Sequence, residues 1–152
     1  MKLFTSLIAT LALAACAGRF DPLVVEQFTL RDESSSSGDD PSVRMEKLRH
    51  LHGAVTMAER KQKLGQYYNF VWSDPQAVGE GKVELVFHYQ QGSSGSLIKK
   101  MTREFPSSDA SGEVEFAIIG DDYFIGGKVL TWKATLRRGN RELASRQSYL
   151  WQ

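Results

Sequence analysis

The sequence predicts an all-β fold, an antiparallel sandwich, on three observations. Residues 82–91 alternate, with Val83, Leu85, Phe87 and Tyr89 facing one way and mostly polar side chains the other, as in a half-buried antiparallel strand. Residues 128–151 form a hairpin pattern around Gly139-Asn140, a dipeptide suited to a two-residue primed turn. About seven such short runs, divided by Gly, Ser and Pro turns, point to a sandwich.

The elements follow in chain order. Residues 23–31, rich in β-branched and aromatic side chains, predict the first strand. Residues 32–42 are a Ser/Asp-rich stretch that can bury nothing, and predict a flexible loop. Residues 43–53 fit a helix or a strand equally, with Met45, Leu48, His52 and Val55 only loosely at helical spacing. Thr56 and Glu59 match a capping box. Good helix formers follow, so one short helix is expected near 56–64, with Gly65 in a left-handed position at its end. A strand over 66–73 is closed by Asp74-Pro75. Residues 91–96 are a turn, and Leu97, Met101 and Phe105 recur in a charged strand over 96–105. Val114, Phe116 and Ile118 share one face of a strand over 113–119. In the last hairpin Leu130, Trp132, Ala134 and Leu136 share a face, and centring the turn on 139–140 pairs Leu136 with Leu143 and Leu130 with Tyr149. The whole looks like immunoglobulin-like or fibronectin-like sandwiches, without the paired cysteines of antibody domains, and the likeness carries no functional residue over.

Composition bounds the function. With 152 residues, 41% hydrophobic and 24% charged, the chain suits one globular domain, expected over 23–152. Cys16 is the one cysteine, so no internal disulfide is possible and the domain must stand on its apolar core. Met1-Lys2 precedes an uncharged run of about 13 residues ending at Ala14-Ala15, shorter than the roughly 20 that span a bilayer. It predicts the apolar region of a signal peptide, residues 1–15.

Leu13-Ala14-Ala15-Cys16 resembles the lipobox of bacterial lipoproteins at all four positions. The resemblance implies that the Cys16 sulfur receives a diacylglyceryl group and that cleavage falls between Ala15 and Cys16. In many such proteins the freed amine is also acylated, by palmitate or a similar chain. A thiol suits lipid transfer because some thiolate is present near neutral pH, and two or three chains hold a protein on a membrane stably. Ala17 is not the aspartate that retains lipoproteins in the inner membrane of didermal bacteria, which favours the outer membrane. Residues 16–22 would be the lipid-anchored tether. Losing Lys2 leaves 18 basic side chains against 18 acidic ones. That balance gives no electrostatic reason to expect nucleic acid as partner.

The chemistry-bearing side chains point to no catalytic, cofactor or metal site. His50 and His52 would share one face of a strand and can chelate, yet spacing marks no third ligand, with Asp39, Asp40, Asp121 and Asp122 as distant candidates. His88 stands alone. No Gly-x-Ser-x-Gly signature and no phosphate-binding glycine loop occurs. Residues 120–127 can bind a cation through Asp121-Asp122, or bring backbone close to a ligand at Gly126-Gly127; more often such a stretch is a tight turn. Lys99, Lys100 and Arg103, and Arg137, Arg138, Arg141 and Arg146, form basic clusters. These suit lipid head groups or an anionic polysaccharide, and equally the guarding of sheet edges. Trp72, Trp132 and Trp151 with Tyr67, Tyr68 and Tyr149 can stack on sugars or fill the core. The expectation is a non-enzymatic, membrane-anchored interaction or structural module of the cell envelope. A lipoprotein binding a glycan or other small ligand is the alternative, and a hydrolase the third.

Overall fold

The computed structural model describes residues 21–32, 38–76 and 80–151. The expected signal peptide, the lipobox and residues 16–20 of the tether lie outside them. Seven strands form two antiparallel sheets. One holds β1 (Leu23–Leu30), β2 (Gly65–Ser73) and β5 (Ser111–Ile119) in the order β1-β2-β5. The other holds β3 (Val83–Gln91), β4 (Lys99–Phe105), β6 (Val129–Arg138) and β7 (Arg141–Gln147) in the order β4-β3-β6-β7. Among the described residues three helices complete the fold: α1 (Pro41–Leu51), α2 (Met57–Gln62) and α3 (Gly120–Gly126).

The sheets face each other across an aromatic core. Tyr68, Phe70 and Trp72 of β2 meet Val83, Leu85, Phe87 and Tyr89 of β3, all buried. The Phe87 ring lies 4.8 Å from Tyr68 and 5.3 Å from Phe70, tilted or edge-on, as aromatic pairs prefer. Each such side chain, fully buried, contributes about 1.5–3 kcal/mol. The strict alternation of β3 is therefore one face on this core and one face outward.

β2 is apolar on both faces because it is covered twice. Its outward Tyr67 joins Leu30 and Leu64 in a second core, with Phe28, Leu51, Ala117 and Ile119 against it. Leu51 of α1 and Leu64, just past α2, supply that cover. α1 settles the ambiguity over 43–53 as helix and shortens the expected 32–42 loop, of which residues 33–37 lie outside the description. Asp40 accepts a hydrogen bond from the Ser42 amide at 2.8 Å and Pro41 opens the helix, a start signal of known form. α2 is the expected short helix, and both halves of the Thr56–Glu59 capping box are present. Gly65, however, does not end it. Lys63 caps the helix in right-handed conformation, and Gly65 opens β2 at φ 150°, where a Cβ would lie 2.2 Å from the Ile118 carbonyl oxygen. Its missing side chain lets β5 close on β2. Residues 120–127 are likewise not a tight turn but the short helix α3.

The last hairpin turns at Gly139-Asn140 with Gly139 at φ 54°, yet its register differs from the expected one. Leu143 is an extra residue in β7, so Leu136 pairs with Ala144 rather than Leu143. A second irregularity leaves Leu130 unpaired between Val129 and Thr131, and Leu130 is exposed. β7 stops at Gln147 and Tyr149, 99% exposed, pairs with nothing in the sheet. Bulges add one residue to one strand and reset the face of all that follows.

Arg138 does not belong to a surface cluster. It is 2% exposed, because inward Leu136 makes the residue two further on inward as well. Its Nε donates to Asp74 at 2.8 Å, its Nη1 to the Gly81 and Ser107 carbonyls at 3.2 Å each, and its Nη2 to the Asp109 carbonyl at 2.9 Å. Removing one partner of such a buried pair strands the other charge. Arg138→Ala should therefore lower the urea-unfolding free energy by about 3–5 kcal/mol, while Arg137→Ala, one residue away and exposed, should change it by less than about 0.5 kcal/mol. Equal effects at the two positions would contradict the buried role.

Candidate functional site

Among the described residues a concave surface lies on the outer face of each sheet. The first lies where α1 crosses β1-β2-β5, a cleft of about 380 Å³. Outward residues of the three strands, Glu26, Asn69, Glu113 and Glu115, form its floor, and Glu46 and Arg49 of α1 its wall. Arg49 is the organising cation. It donates to Glu115 at 2.6 Å and to Glu46 at 3.1 Å, and Asn69 donates to Glu113 at 2.7 Å. The Glu115 hydrogen bond holds the Arg49 guanidinium above its ordinary pKa.

His50 sits beneath this cleft. Its ring stacks on Tyr67 at 3.7 Å and on Phe28 at 5.3 Å. Arg49 Nη2 approaches His50 Nε2 at 3.2 Å; a guanidinium can only donate, so Nε2 accepts and Nδ1 carries the proton of the neutral ring. Burial pushes the imidazole below the ordinary histidine value, against the pull of Glu115. Burial, with Glu115 adding to it, raises the Tyr67 phenol to about 12, and its hydroxyl donates to the Lys63 carbonyl. His50 and His52 do not share the face that a strand would give them. The segment is helix, so the two rings point apart: His50 turns inward while exposed His52 caps α1. Among the described residues no group of three or more His, Asp or Glu side chains is placed to hold a metal ion.

α1 turns two polar side chains inward and leaves most of its apolar ones outward, Leu51 excepted. Lys47 and His50 are its buried residues, and Lys47 pairs with Asp32 and Asp39 at 3.0 Å each. Met45 and Leu48 are exposed, as are Val55 and Met57 beyond the helix.

The second surface is the outer face of β4-β3-β6-β7. The register sets Lys100, His88, Lys133 and Gln147 side by side across the four strands. One row over stand the small residues Thr102, Val86, Thr135 and Ser145, and beyond them Glu104, Glu84, Arg137 and Glu142. The small middle row leaves a hollow of about 400 Å³. After β7 the chain turns back, with the Ser148 hydroxyl accepting from the Trp132 amide at 2.9 Å, and Trp151 lands 6.4 Å from the His88 ring. Burial, then Lys100 and Lys133, lowers the His88 pKa.

The remaining candidates are spent on the fold. Trp72, Tyr67 and Tyr68 are core, Trp132 packs against it, and Tyr149 stands free. Asp121 accepts from Gln62, and Asp122 pairs with Lys99. Gly126 admits the buried Gln91 amide, which donates to the Asp122 and Gly127 carbonyls at 2.9 Å each. The space left by the missing Gly126 side chain is thus taken by the protein's own side chain. Arg141 reaches Asp74, and Arg146 pairs with Asp21. Arg103 lies opposite Leu85, on the core-facing side of edge strand β4, yet is exposed.

No protein-family model, curated protein or solved structure matches the chain. What these surfaces do therefore follows from their own chemistry.

His50 makes stability depend on pH. Its folded pKa lies below the ordinary histidine value of about 6.5, so below that pH the unfolded chain binds more protons than the folded one and stability falls as pH falls. The loss ends once pH passes the lowered folded value. His88 contributes with the same sign. Urea midpoints should drop from about pH 7.5 to about pH 5.5, and His50→Phe, which keeps an aromatic ring on Tyr67, should flatten that drop. An undiminished slope in the variant would exclude His50 as the cause.

Proposed function

We propose that the chain is a bacterial cell-envelope lipoprotein whose exported sandwich works as a non-enzymatic interaction or structural module. The observation that carries this is Leu13-Ala14-Ala15-Cys16 behind a charged start and a short apolar run. Lipid on the Cys16 sulfur, after cleavage behind Ala15, supplies the membrane attachment, and Ala17 favours the outer membrane. No helix among the described residues is long and apolar enough to cross a membrane. The partner is an envelope protein or glycan, met by a rigid β scaffold.

Two further points support a binding role. The most deeply buried charged side chain, Arg138, and the buried His50 are both committed to holding structure. Kinship with immunoglobulin-like or fibronectin-like sandwiches is part of the proposal. Constant-type immunoglobulin domains group the first, second, fifth and fourth strands against the third, sixth and seventh; here the same grouping recurs with the fourth strand moved to the other sheet. A second reading, a glycan-binding lipoprotein, is favoured by Trp151, which lies across a polar sheet face rather than in the core.

Intact mass of the protein from the membrane fraction tests the anchor. The expected mass lacks residues 1–15 and gains a diacylglyceryl group with or without a further acyl chain, while Cys16→Ser carries no lipid. A native protein that is unlipidated and free of the membrane would overturn the proposal.

A further inference from the structure

We infer that the outer face of the β4-β3-β6-β7 sheet is a binding trough for a carboxylate-bearing saccharide, with Trp151 as its stacking platform. The inference rests on the glycan-binding reading above and names the ligand class and the site.

Three features point to it. The first is an unneutralised cationic row. Lys100 and Lys133 flank His88 in one register line. Neighbouring strands lie about 4.8 Å apart, so the two lysine backbones are about 10 Å apart and their long arms can close on one anion between them. None of the ion pairs among the described residues takes in Lys100, Lys133 or Arg137. By contrast, neighbouring Lys82 and Lys99 are both paired. An incoming carboxylate would gain charge-assisted hydrogen bonds there without breaking an existing pair.

The second feature is the hollow. Its floor is Val86 and Thr135, and its far wall is Glu84, Arg137 and Glu142. Its volume of about 400 Å³ falls in the range of small-ligand pockets. The two wall carboxylates are acceptors only, so they suit hydroxyl donors. A sugar acid presents both chemistries at once: an anionic group for the lysine row and hydroxyls for the opposite wall. A nucleic-acid strand fits worse, because Glu84 and Glu142 would repel its repeating phosphates.

The third is Trp151. The indole has an apolar body and a single donor. On this strand face it covers no core: its ring partner is His88, and Gln147 donates to its carbonyl at 3.4 Å. Its ring stands beside His88, which lines the hollow, and offers the C–H face of a sugar a surface to stack on.

The test uses the full chain purified in detergent, titrated with an oligogalacturonate and followed by tryptophan fluorescence and calorimetry. Neutral dextran oligomers, polyphosphate and oligothymidylate are run in parallel. Oligogalacturonate should bind with an affinity that weakens as salt rises. Trp151→Ala and the Lys100→Gln/Lys133→Gln pair should each weaken it by about tenfold or more, the scale of one lost stacking or charge-assisted contact. Arg103→Gln, on the other side of β4, should leave it unchanged. The lysine pair touches exposed Lys100 and half-buried Lys133, neither of them in the core or in an ion pair among the described residues, so it answers even if Trp151→Ala folds poorly. No binding of oligogalacturonate, or equal binding by the lysine variant, would overturn the proposal. So would equal or tighter binding of polyphosphate or oligothymidylate, which would reduce the face to a nonspecific cationic patch. Dextran binding as strong as oligogalacturonate binding would keep the glycan reading and sink this one. Binding by a chain whose mass shows no lipid would still support the trough, since the trough does not depend on the anchor.

Discussion

The Arg138–Asp74 ion pair is the constraint on which one end of the sandwich depends. A sandwich needs its sheets held at fixed spacing, and apolar contacts alone set spacing better than they set loop paths. At this end three connections meet: β2 to β3, β4 to β5, and β6 to β7. Arg138 donates into the first through Asp74 and Gly81, and into the second through Ser107 and Asp109, from its own place at the head of the third. A guanidinium can do this because its donors form a rigid planar fork. The charge would be costly to bury by itself, and Asp74 offsets that cost. Arg141 adds a second, more exposed contact to the same carboxylate. The opposite end is tied mainly by side-chain amides, with the more exposed Lys99–Asp122 pair beside them. Gln91 ties α3 to the start of β6, and Gln66 accepts from the Val129 amide at 2.6 Å.

The two sheets are unequal, and that inequality shapes both surfaces. Three strands cannot cover four, so the core-facing side of β4 is only partly buried and Arg103 stands there. The narrower sheet carries helices on its back, which buries Tyr67 and Leu30 and confines solvent to the Glu-lined cleft beside α1. The wider sheet has no helix on its back among the described residues. Its rows of side chains stay open to solvent, interrupted only by the returning Trp151. Site chemistry thus divides by architecture: an acid-lined cleft with one arginine under a helix on one side, an open cationic row on the other.

Much of this was legible in the residues. The alternation of Val83, Leu85, Phe87 and Tyr89 placed β3 and its inward face correctly, and Thr56 with Glu59 marked α2. α1 escaped because its inward positions are Lys47 and His50, whose burial relies on Asp32, Asp39 and stacking against Tyr67. No apolar periodicity can report that. Its start was nevertheless written as Asp40-Pro41. The hairpin register failed at a bulge, which inserts Leu143 with no local signature and moves every later pair by one. Arg138 looked like surface charge by type, yet parity with inward Leu136 already assigned it to the core. The row of Lys100, His88 and Lys133 draws on three strands and becomes visible only once register is known.

The four sheet edges are guarded very unequally. β4 presents Lys99, Lys100, Arg103 and Glu104, β7 presents Arg141, Glu142 and Arg146, and β5 presents Glu113 and Glu115. β1 has eight residues, no proline, and Glu26 as its one charge. Charged side chains and prolines are what keep an edge from recruiting a strand of another molecule, and a short, β-branched, nearly uncharged segment is the composition from which fibrillar stacking starts. In the folded protein β1 is shielded in part by its alignment beside β7, where Asp21 meets Arg146. Loosening that corner would offer neighbouring molecules a ready template. Long-term colloidal behaviour of this protein is therefore governed less by its overall charge balance than by one carboxylate and one corner contact on its first strand.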